Sequence, residues 1–171
     1  GTDGLDAPDP PTGVAVSGGT DGVASISFTA PTDTGTSAIT GFVATASNGV
    51  GATGSSSPIS VSSLTLGTAV TFKAYAINAY GTSAASDPTS SITPAESRGL
   101  FMGGEVSGSR INVIQYISVA TTGNAQDFGD LTTVTTDSAA VSSSTRAVRG
   151  SGDGGDGVDS TVMDYVTTAT T

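Results

Sequence analysis

The sequence contains no cysteine and no histidine. Without cysteine there are no disulfides and no thiol chemistry, so we expect stability to come from β-packing or from association of chains. Without histidine the chain lacks the usual imidazole general base and the usual nitrogen ligand of zinc. These two absences argue against an enzyme, and we predict no catalytic residue and no bound cofactor.

Charge is also scarce, because charged residues make up only 12% of the chain, about half of the usual share. Five cations stand against 15 acidic residues, which gives a net charge of −10. No basic patch is available to neutralise phosphates, so we expect no nucleic-acid partner. No apolar run reaches the roughly 18 residues of a membrane-spanning helix, so we expect no membrane insertion.

The residues that are abundant favour β-structure. Valine, isoleucine and threonine suit pleated surfaces, and no window shows a sustained apolar period of 3.6 residues. Short alternating segments occur instead, separated by clusters of Gly, Pro, Asp and Asn. The segments are 14–16, 23–28, 42–47, 58–64, 70–78 and 90–93, and the separators include 18–22, 30–36 and 47–54. This spacing predicts an all-β chain with a β-sandwich over residues 10–95, preceded by an acidic linker over residues 1–9.

The stretch LTLGTAVTFKAYAINAYGTSAAS (64–86) resembles the fibronectin type III family. The family pattern there is Leu-x-Pro-Gly-Thr-x-Tyr, then strand residues, then Ala-x-Asn-x-x-Gly-x-Ser. The matching residues are Leu64, Gly67, Thr68, Ala76, Asn78, Gly81 and Ser83. Phe28 replaces the core tryptophan of the family, and Val70 stands at its tyrosine-corner position. Because both replacements are apolar, the resemblance implies that the sandwich keeps its fold.

The sequence repeats itself from residue 96 onward. Residues 98–122 match residues 146–171, with Arg146 following Arg98 by 48 residues and Tyr165 following Tyr116 by 49 residues. That period is the size of a four-stranded propeller blade, and the first copy resembles a kelch repeat. We predict about one and a half β-repeats over residues 96–171, too few to close a propeller.

Because the repeat is incomplete and the chain begins at Gly1 instead of Met, we expect a processed product or a piece of a longer chain. Further repeats beyond Thr171 could complete the architecture. Neighbouring chains could also complete it, or the segment could form a different, open β-structure.

The sequence of the repeat also resembles structural proteins of tailed bacteriophages, particularly those infecting marine cyanobacteria. The resemblance lies in SSSTR (142–146) and TTGNAQDFGDL (121–131). It implies an extracellular location on a virion, as a tail fibre or tail appendage subunit that mediates assembly or host-surface contact. Two alternatives stay open: a capsid decoration protein, and a spacer fragment of a secreted polysaccharide-active enzyme. The implied partners are other copies of the chain, other virion proteins and a host-surface glycan or protein.

One segment suggests a structural calcium site. GGDGVDSTV (154–162) matches most of a calcium-binding nonapeptide. Asp153, Asp156 and Asp159 are the candidate ligands, since Ca²⁺ prefers carboxylate oxygens. Thr161 occupies the large apolar position of that pattern, and only one copy is present. An acidic, glycine-rich turn without metal is the simpler interpretation.

Five residues are candidates for partner contact. Tyr80 lies in the loop over residues 78–84, and the others occupy equivalent positions of the repeat. The candidates are Tyr80, Arg98, Tyr116, Arg146 and Tyr165. The simpler interpretation of the arginines is a repeated salt bridge or carbonyl contact, and that of the repeat tyrosines is a role in the core or between blades.

Overall fold

The computed structural model describes residues 5–119, 122–134, 136, 139–142, 146–153 and 159–167. The chain divides into two compact units, Gly1–Ala95 and Glu96–Thr171. The described residues form strands, turns and loops without a helix, which confirms the all-β prediction. This part of the chain therefore offers no helix that is long and apolar enough to cross a membrane.

From residue 5 onward the first unit contains seven strands in two antiparallel sheets. They are β1 (Thr12–Gly18), β2 (Ala24–Thr29), β3 (Ile39–Ala46), β4 (Gly51–Gly54), β5 (Ile59–Val61), β6 (Phe72–Asn78) and β7 (Gly81–Thr82). One sheet has the order β1-β2-β5 and the other has the order β4-β3-β6-β7. The unit is therefore a fibronectin type III-like sandwich, as the resemblance implied.

The core of the first unit lies between its two sheets, where alternate residues of each strand point inward. Phe28 from one sheet packs against Phe42 from the other, with ring centroids 4.9 Å apart. Phe72 belongs to the same buried cluster, and so does Val70. Both positions that depart from the family pattern thus contribute apolar side chains to the core.

The chain after β7 follows β6 with a three-residue period. Every third residue donates its backbone N–H to a carbonyl of β6, and its side-chain hydroxyl accepts the N–H of the same β6 residue. The pairs are Ser83 with Ala76, Ser86 with Ala74 and Thr89 with Phe72. Each hydroxyl also donates to the carbonyl of the following residue. Three residues of this segment span the same length as two residues of β6, so the two cannot form a regular ladder. The strand predicted over residues 90–93 is therefore only an isolated bridge between Ile92 and Val70.

A second difference from the predicted strands concerns β4. Residues 47–54 are a separator by composition, yet Gly51–Gly54 pairs with β3 along the edge of the sheet. That prediction was wrong because three of the four residues of the strand are Gly or Ala, which are depleted in strands. Backbone hydrogen bonds to β3 hold this segment in the sheet, although its side chains do not predict a strand.

Asn78, at the end of β6, connects three parts of the first unit. Its Nδ2 donates to the carbonyl oxygens of Asp6 and Thr34, at 2.9 Å each. Its Oδ1 accepts the backbone N–H groups of Tyr80 and Gly81 at 2.9 and 3.0 Å. The N-terminal segment predicted as a linker is thus held against the sandwich at Asp6, and the buried amide is fully hydrogen-bonded.

The described residues of the second unit form six strands in two antiparallel sheets. They are β8 (Arg98–Val106), β9 (Ser109–Ser118), β10 (Gln126–Asp130), β11 (Ala139–Ser142), β12 (Arg146–Asp153) and β13 (Asp159–Thr167). The strand orders are β10-β9-β8 and β11-β12-β13. The strands described for this unit do not close a propeller, and the propeller interpretation of the repeat stays a prediction.

The hairpins β8–β9 and β12–β13 are equivalent copies of one repeat. Their strands pair in the same register, and each hairpin has a β-bulge at the same place, with the extra residue on its second strand. The register pairs are Leu100 with Tyr116 and Val148 with Tyr165, and the bulges lie between Met102 and Gly104 and between Gly150 and Gly152. The diglycine of the first copy therefore lies within β8, opposite the bulge of β9, and the hairpin turn follows it at Ser107 and Gly108.

Candidate partner-binding surface

Each of the two equivalent hairpins places an arginine over a tyrosine. The arginine begins the first strand, two residues before the residue that pairs with the tyrosine, so the two side chains are diagonal neighbours on one face. The Arg98 Cζ lies 4.7 Å from the centroid of the Tyr116 ring, and the Arg146 Cζ lies 4.9 Å from that of Tyr165. These distances are those of cation–π pairs. Arg98 Nε also lies 3.4 Å from a carboxylate oxygen of Glu96.

The structure therefore joins four of the five sequence-predicted contact residues into two pairs. Sequence reasoning had treated the arginines and the tyrosines separately. The register of the hairpin is the signal that could have joined them, because it places the arginine and the tyrosine of each copy on the same face.

Strand β10 covers the first arginine–tyrosine pair. The Tyr116 hydroxyl donates to Gln126 Oε1 at 2.7 Å. The Phe128 ring meets the Tyr116 ring edge-on, with centroids 6.0 Å apart and planes at 88°. Ile114, on the same face of β9, is only 3% exposed. In the first sheet this face is therefore a half-buried cluster to which β10 contributes, with Ile114 as its buried member.

The second pair lies on an open face of the β11-β12-β13 sheet. Val141, Val148 and Tyr165 are register partners in one row across the three strands, and Met163 lies on the same face of β13. Val141 is 72% exposed, Met163 73% and Tyr165 65%. Arg146, which is also exposed, lies over the tyrosine. We name Val141, Arg146, Val148, Met163 and Tyr165 the β11–β13 face.

The opposite side of the same sheet carries a buried ion pair. The Arg149 guanidinium has no solvent exposure and pairs with the carboxylate of Asp164. The Thr132 hydroxyl donates to Asp164 Oδ1 at 2.6 Å, and the Thr132 backbone N–H donates to the same oxygen at 3.4 Å. Burial alone raises the pKa of Asp164, but these hydrogen bonds and the charge of Arg149 outweigh it, so this pKa is lowered from its usual value.

Sequence reasoning missed Arg149 as a structural residue. Residues three apart in a strand point to opposite faces of a sheet. Alternation along β12 could therefore have placed Arg149 on the face opposite Arg146, where a buried cation needs an acidic partner. The carboxylate itself comes from the register partner on β13.

The two equivalent hairpins bury opposite faces. Ile114 is buried, whereas its equivalent Met163 is exposed; Phe101 is 56% exposed, whereas its equivalent Arg149 is fully buried. The cross-strand pair of Phe101 with Gln115 in the first sheet becomes the ion pair with Asp164 in the second. The copies thus share backbone register but differ in the side that faces solvent.

The fifth candidate, Tyr80, lies in the turn between β6 and β7. Its side chain is exposed, and its backbone N–H is fixed by the Asn78 side chain. The turn therefore presents an aromatic ring on a rigid support in the first unit.

The candidate calcium ligands are only partly described. Asp153 is engaged with Arg110, whose Nη2 lies 2.7 Å from its Oδ2. Asp156 lies outside the described residues, and Asp159 is described only as the backbone partner of Asp153 in the β12–β13 ladder. The described residues contain no cluster of three or more groups that could hold a metal ion. The calcium site stays a prediction.

Comparisons with known proteins give matches only among solved structures. No protein-family model matches the sequence, and no curated protein matches it significantly. Domains A168-A170 from titin share 28% identity over 53% of this chain, with a TM-score of 0.49. The kinase region of twitchin from C. elegans shares 21% identity over 53% of this chain, with a TM-score of 0.48. The FN1-FN3 domains of chicken CNTN1 share 13% identity, with 95% of this chain and 89% of that one covered, at a TM-score of 0.47. The chain spans 33% of the titin structure and 17% of the twitchin structure.

Proposed function

We propose that this chain is a non-enzymatic structural and adhesion protein of a virion surface, built into a tail fibre or tail appendage. The proposal starts from the resemblance of the repeat to phage structural proteins. The observation that carries it is the β11–β13 face. Tyrosine, methionine and arginine are enriched in protein–protein interfaces relative to the rest of protein surfaces, and this face presents all three side by side.

The first unit suits the role of a spacer or attachment module. Its side-chain hydroxyls and the Asn78 amide satisfy backbone groups along the β6 edge and in the adjacent loops. Buried polar groups that are fully hydrogen-bonded help to rigidify a fold. Such a sandwich needs no disulfide for this role, and Tyr80 offers a further contact.

The charge distribution supports a specific contact instead of general adhesion. With a net charge of −10, the chain repels acidic surfaces at long range. Arg146 on the β11–β13 face is one of only five cations, so it marks a place where an acidic group of a partner can approach.

Cryo-electron microscopy of intact virus particles from the source sample tests the proposal, with antibodies against the full chain as gold-labelled markers. We expect label on the tail or its appendages and density for the two units there. Label on the capsid lattice would replace this function with capsid decoration. Particles without label, together with the chain found in a secreted polysaccharide-active enzyme, would refute a virion role.

A further inference from the structure

The two sheets of the second unit leave opposite faces of the repeat open to solvent. In the first sheet one row across β8, β9 and β10 consists of Phe101, Gln115 and Asp127, and all three residues are exposed. In the second sheet the residues equivalent to Phe101 and Gln115 are Arg149 and Asp164, which form the buried ion pair. The second sheet is most exposed on its other side, the β11–β13 face.

The open face of the first sheet is aromatic and acidic. The Phe101 ring is 56% exposed, and Asp127 follows it in the same row. The register pairs Asp130 with Val113, which lies two residues before Gln115 on β9, so this second carboxylate is on the same side of the sheet. We name Phe101, Gln115, Asp127 and Asp130 the Phe101 face.

The β11–β13 face has the complementary chemistry. Its most exposed members, Val141, Met163 and Tyr165, are apolar or aromatic, and its charged member is Arg146. Contact with Phe101 would remove apolar surface from water on both sides. Arg146 keeps its contact with the Tyr165 ring in such an arrangement, because a guanidinium offers five N–H donors.

Charge selects between the possible pairings of these two faces. Two β11–β13 faces packed against each other would bring two Arg146 guanidinium groups together, and two Phe101 faces would bring together the aspartates of both copies. A Phe101 face packed against a β11–β13 face places acids toward a cation instead. Like charges brought together across an interface are costly, so the unlike pairing is favoured.

We infer that the Phe101 face of one copy of this chain packs against the β11–β13 face of another copy. The contact joins side chains of two sheet faces, as in a β-sandwich, and leaves the strand edges and the hydrogen bonds of both sheets as they are. Because the two faces differ and belong to different sheets, each copy can engage one neighbour through each face. A head-to-tail contact of this kind produces a ring or an open filament.

The inference deepens the proposed function and rests on it in one respect, since it names the surfaces by which the subunit is proposed to assemble. Its test is nevertheless separate from the virion experiment. Association of the chain in solution without a virion location would overturn only the proposed function. A virion location for a chain that stays monomeric in solution would overturn only the present inference.

Sedimentation velocity of the purified full chain over a range of concentrations tests the contact. We expect the wild-type chain to form species larger than a dimer as its concentration rises, because each copy carries both faces. Phe101→Glu and Met163→Glu each place a carboxylate on one face, and each variant alone should associate roughly tenfold more weakly or not at all. An equimolar mixture of the two variants should form a complex of two chains and no larger species, because each variant keeps the face that the other has lost.

Val119→Glu is the matched control, since it adds the same charge at an apolar residue that is 65% exposed and lies outside both faces. It should leave association unchanged, and a loss there equal to that of the other two variants would overturn the inference. Phe101→Gln and Met163→Gln provide a second pair without added charge, and circular dichroism verifies that all variants keep the wild-type fold.

Three other results would overturn the inference. The first is a wild-type chain that stays monomeric at every concentration. The second is association that only one of the two substitutions abolishes, because a contact between like faces depends on a single face. The third is loss of association in both folded variants without recovery of the two-chain complex in their mixture.

Discussion

Replacement of Asn78 tests whether one amide connects three parts of the first unit. Asn78→Ala removes four hydrogen bonds. The carbonyl oxygen of Asp6 keeps a second donor, the N–H of Thr36 at 3.1 Å, so three groups lose their described partner. At about 0.5–1.5 kcal/mol for each lost bond, we expect the free energy of unfolding to fall by about 2–4 kcal/mol. For a domain of this size that corresponds to a decrease in Tm of roughly 10–30 °C.

Asn78→Asp separates this role from simple capping of the turn. Aspartate keeps the oxygen that accepts the N–H groups of Tyr80 and Gly81 but replaces the donating amide by a carboxylate oxygen. That oxygen would face the carbonyl oxygens of Asp6 and Thr34. We therefore expect Asn78→Asp to destabilise the first unit about as much as Asn78→Ala does.

Asn48 provides the matched control, because its exposed side chain accepts one N–H, that of Val50, at 3.2 Å. Asn48→Asp preserves that bond and should leave Tm nearly unchanged. Differential scanning calorimetry of the full chain, with amide NMR spectra to assign the transition to the first unit, measures both effects. Near-normal stability of Asn78→Asp would refute the reasoning, since it would show that the bonds to the N-terminal segment and the loop contribute nothing.

Three further predictions concern buried polar groups and one close backbone contact. Asp164→Asn leaves the Arg149 charge buried without its anion, so chemical denaturation should show the second unit less stable by about 3–5 kcal/mol at neutral pH. Because the pKa of Asp164 is lowered on folding, its carboxylate stabilises the folded state at pH values above the unfolded pKa of about 3.9. This contribution is lost as the pH falls through the folded pKa, so an acid titration should show the difference in the free energy of unfolding between wild type and Asp164→Asn disappear. Ser86→Ala deprives the buried Ala74 N–H of its side-chain acceptor and should cost about 1–3 kcal/mol, whereas Ser86→Thr, which keeps the hydroxyl, should cost less in the same denaturation curves. Gly35→Ala should lower Tm clearly, because an added Cβ would lie 2.3 Å from a backbone oxygen at a φ of +70°; a Tm equal to wild type would contradict the described loop.

The sandwich was predictable because its strands alternate and its separators contain strong turn residues. The segments 23–28 and 70–78 contain β2 and β6 apart from one terminal residue of β2, and Phe28 reached the core as an apolar replacement should. The period-three segment after β7 was not predictable from alternation, since it uses serine and threonine hydroxyls as backbone acceptors. The spacing of Ser83, Ser86 and Thr89 is visible in the sequence, but only the structure shows that their hydroxyls accept N–H groups of β6.

The candidate surface was predictable only as a set of residues. Internal repetition indicated Arg98, Tyr116, Arg146 and Tyr165, because these positions recur at nearly constant spacing. The pairing of arginine with tyrosine depends on hairpin register, and the open state of the second pair depends on which strands surround it. Neither property is carried by the spacing of residues along the chain.

Opposite burial of the two hairpins means that the copies are not interchangeable modules. A hairpin that combined Phe101 of the first copy with Asp164 of the second would bury the carboxylate without its arginine partner. The copies therefore depend on different buried side chains although their backbones pair alike. They are identical at the arginine and tyrosine of each pair and at Gly104 and Gly152, which lie beside the register shift of each hairpin. The repeat can be read in the sequence because these positions recur in both copies.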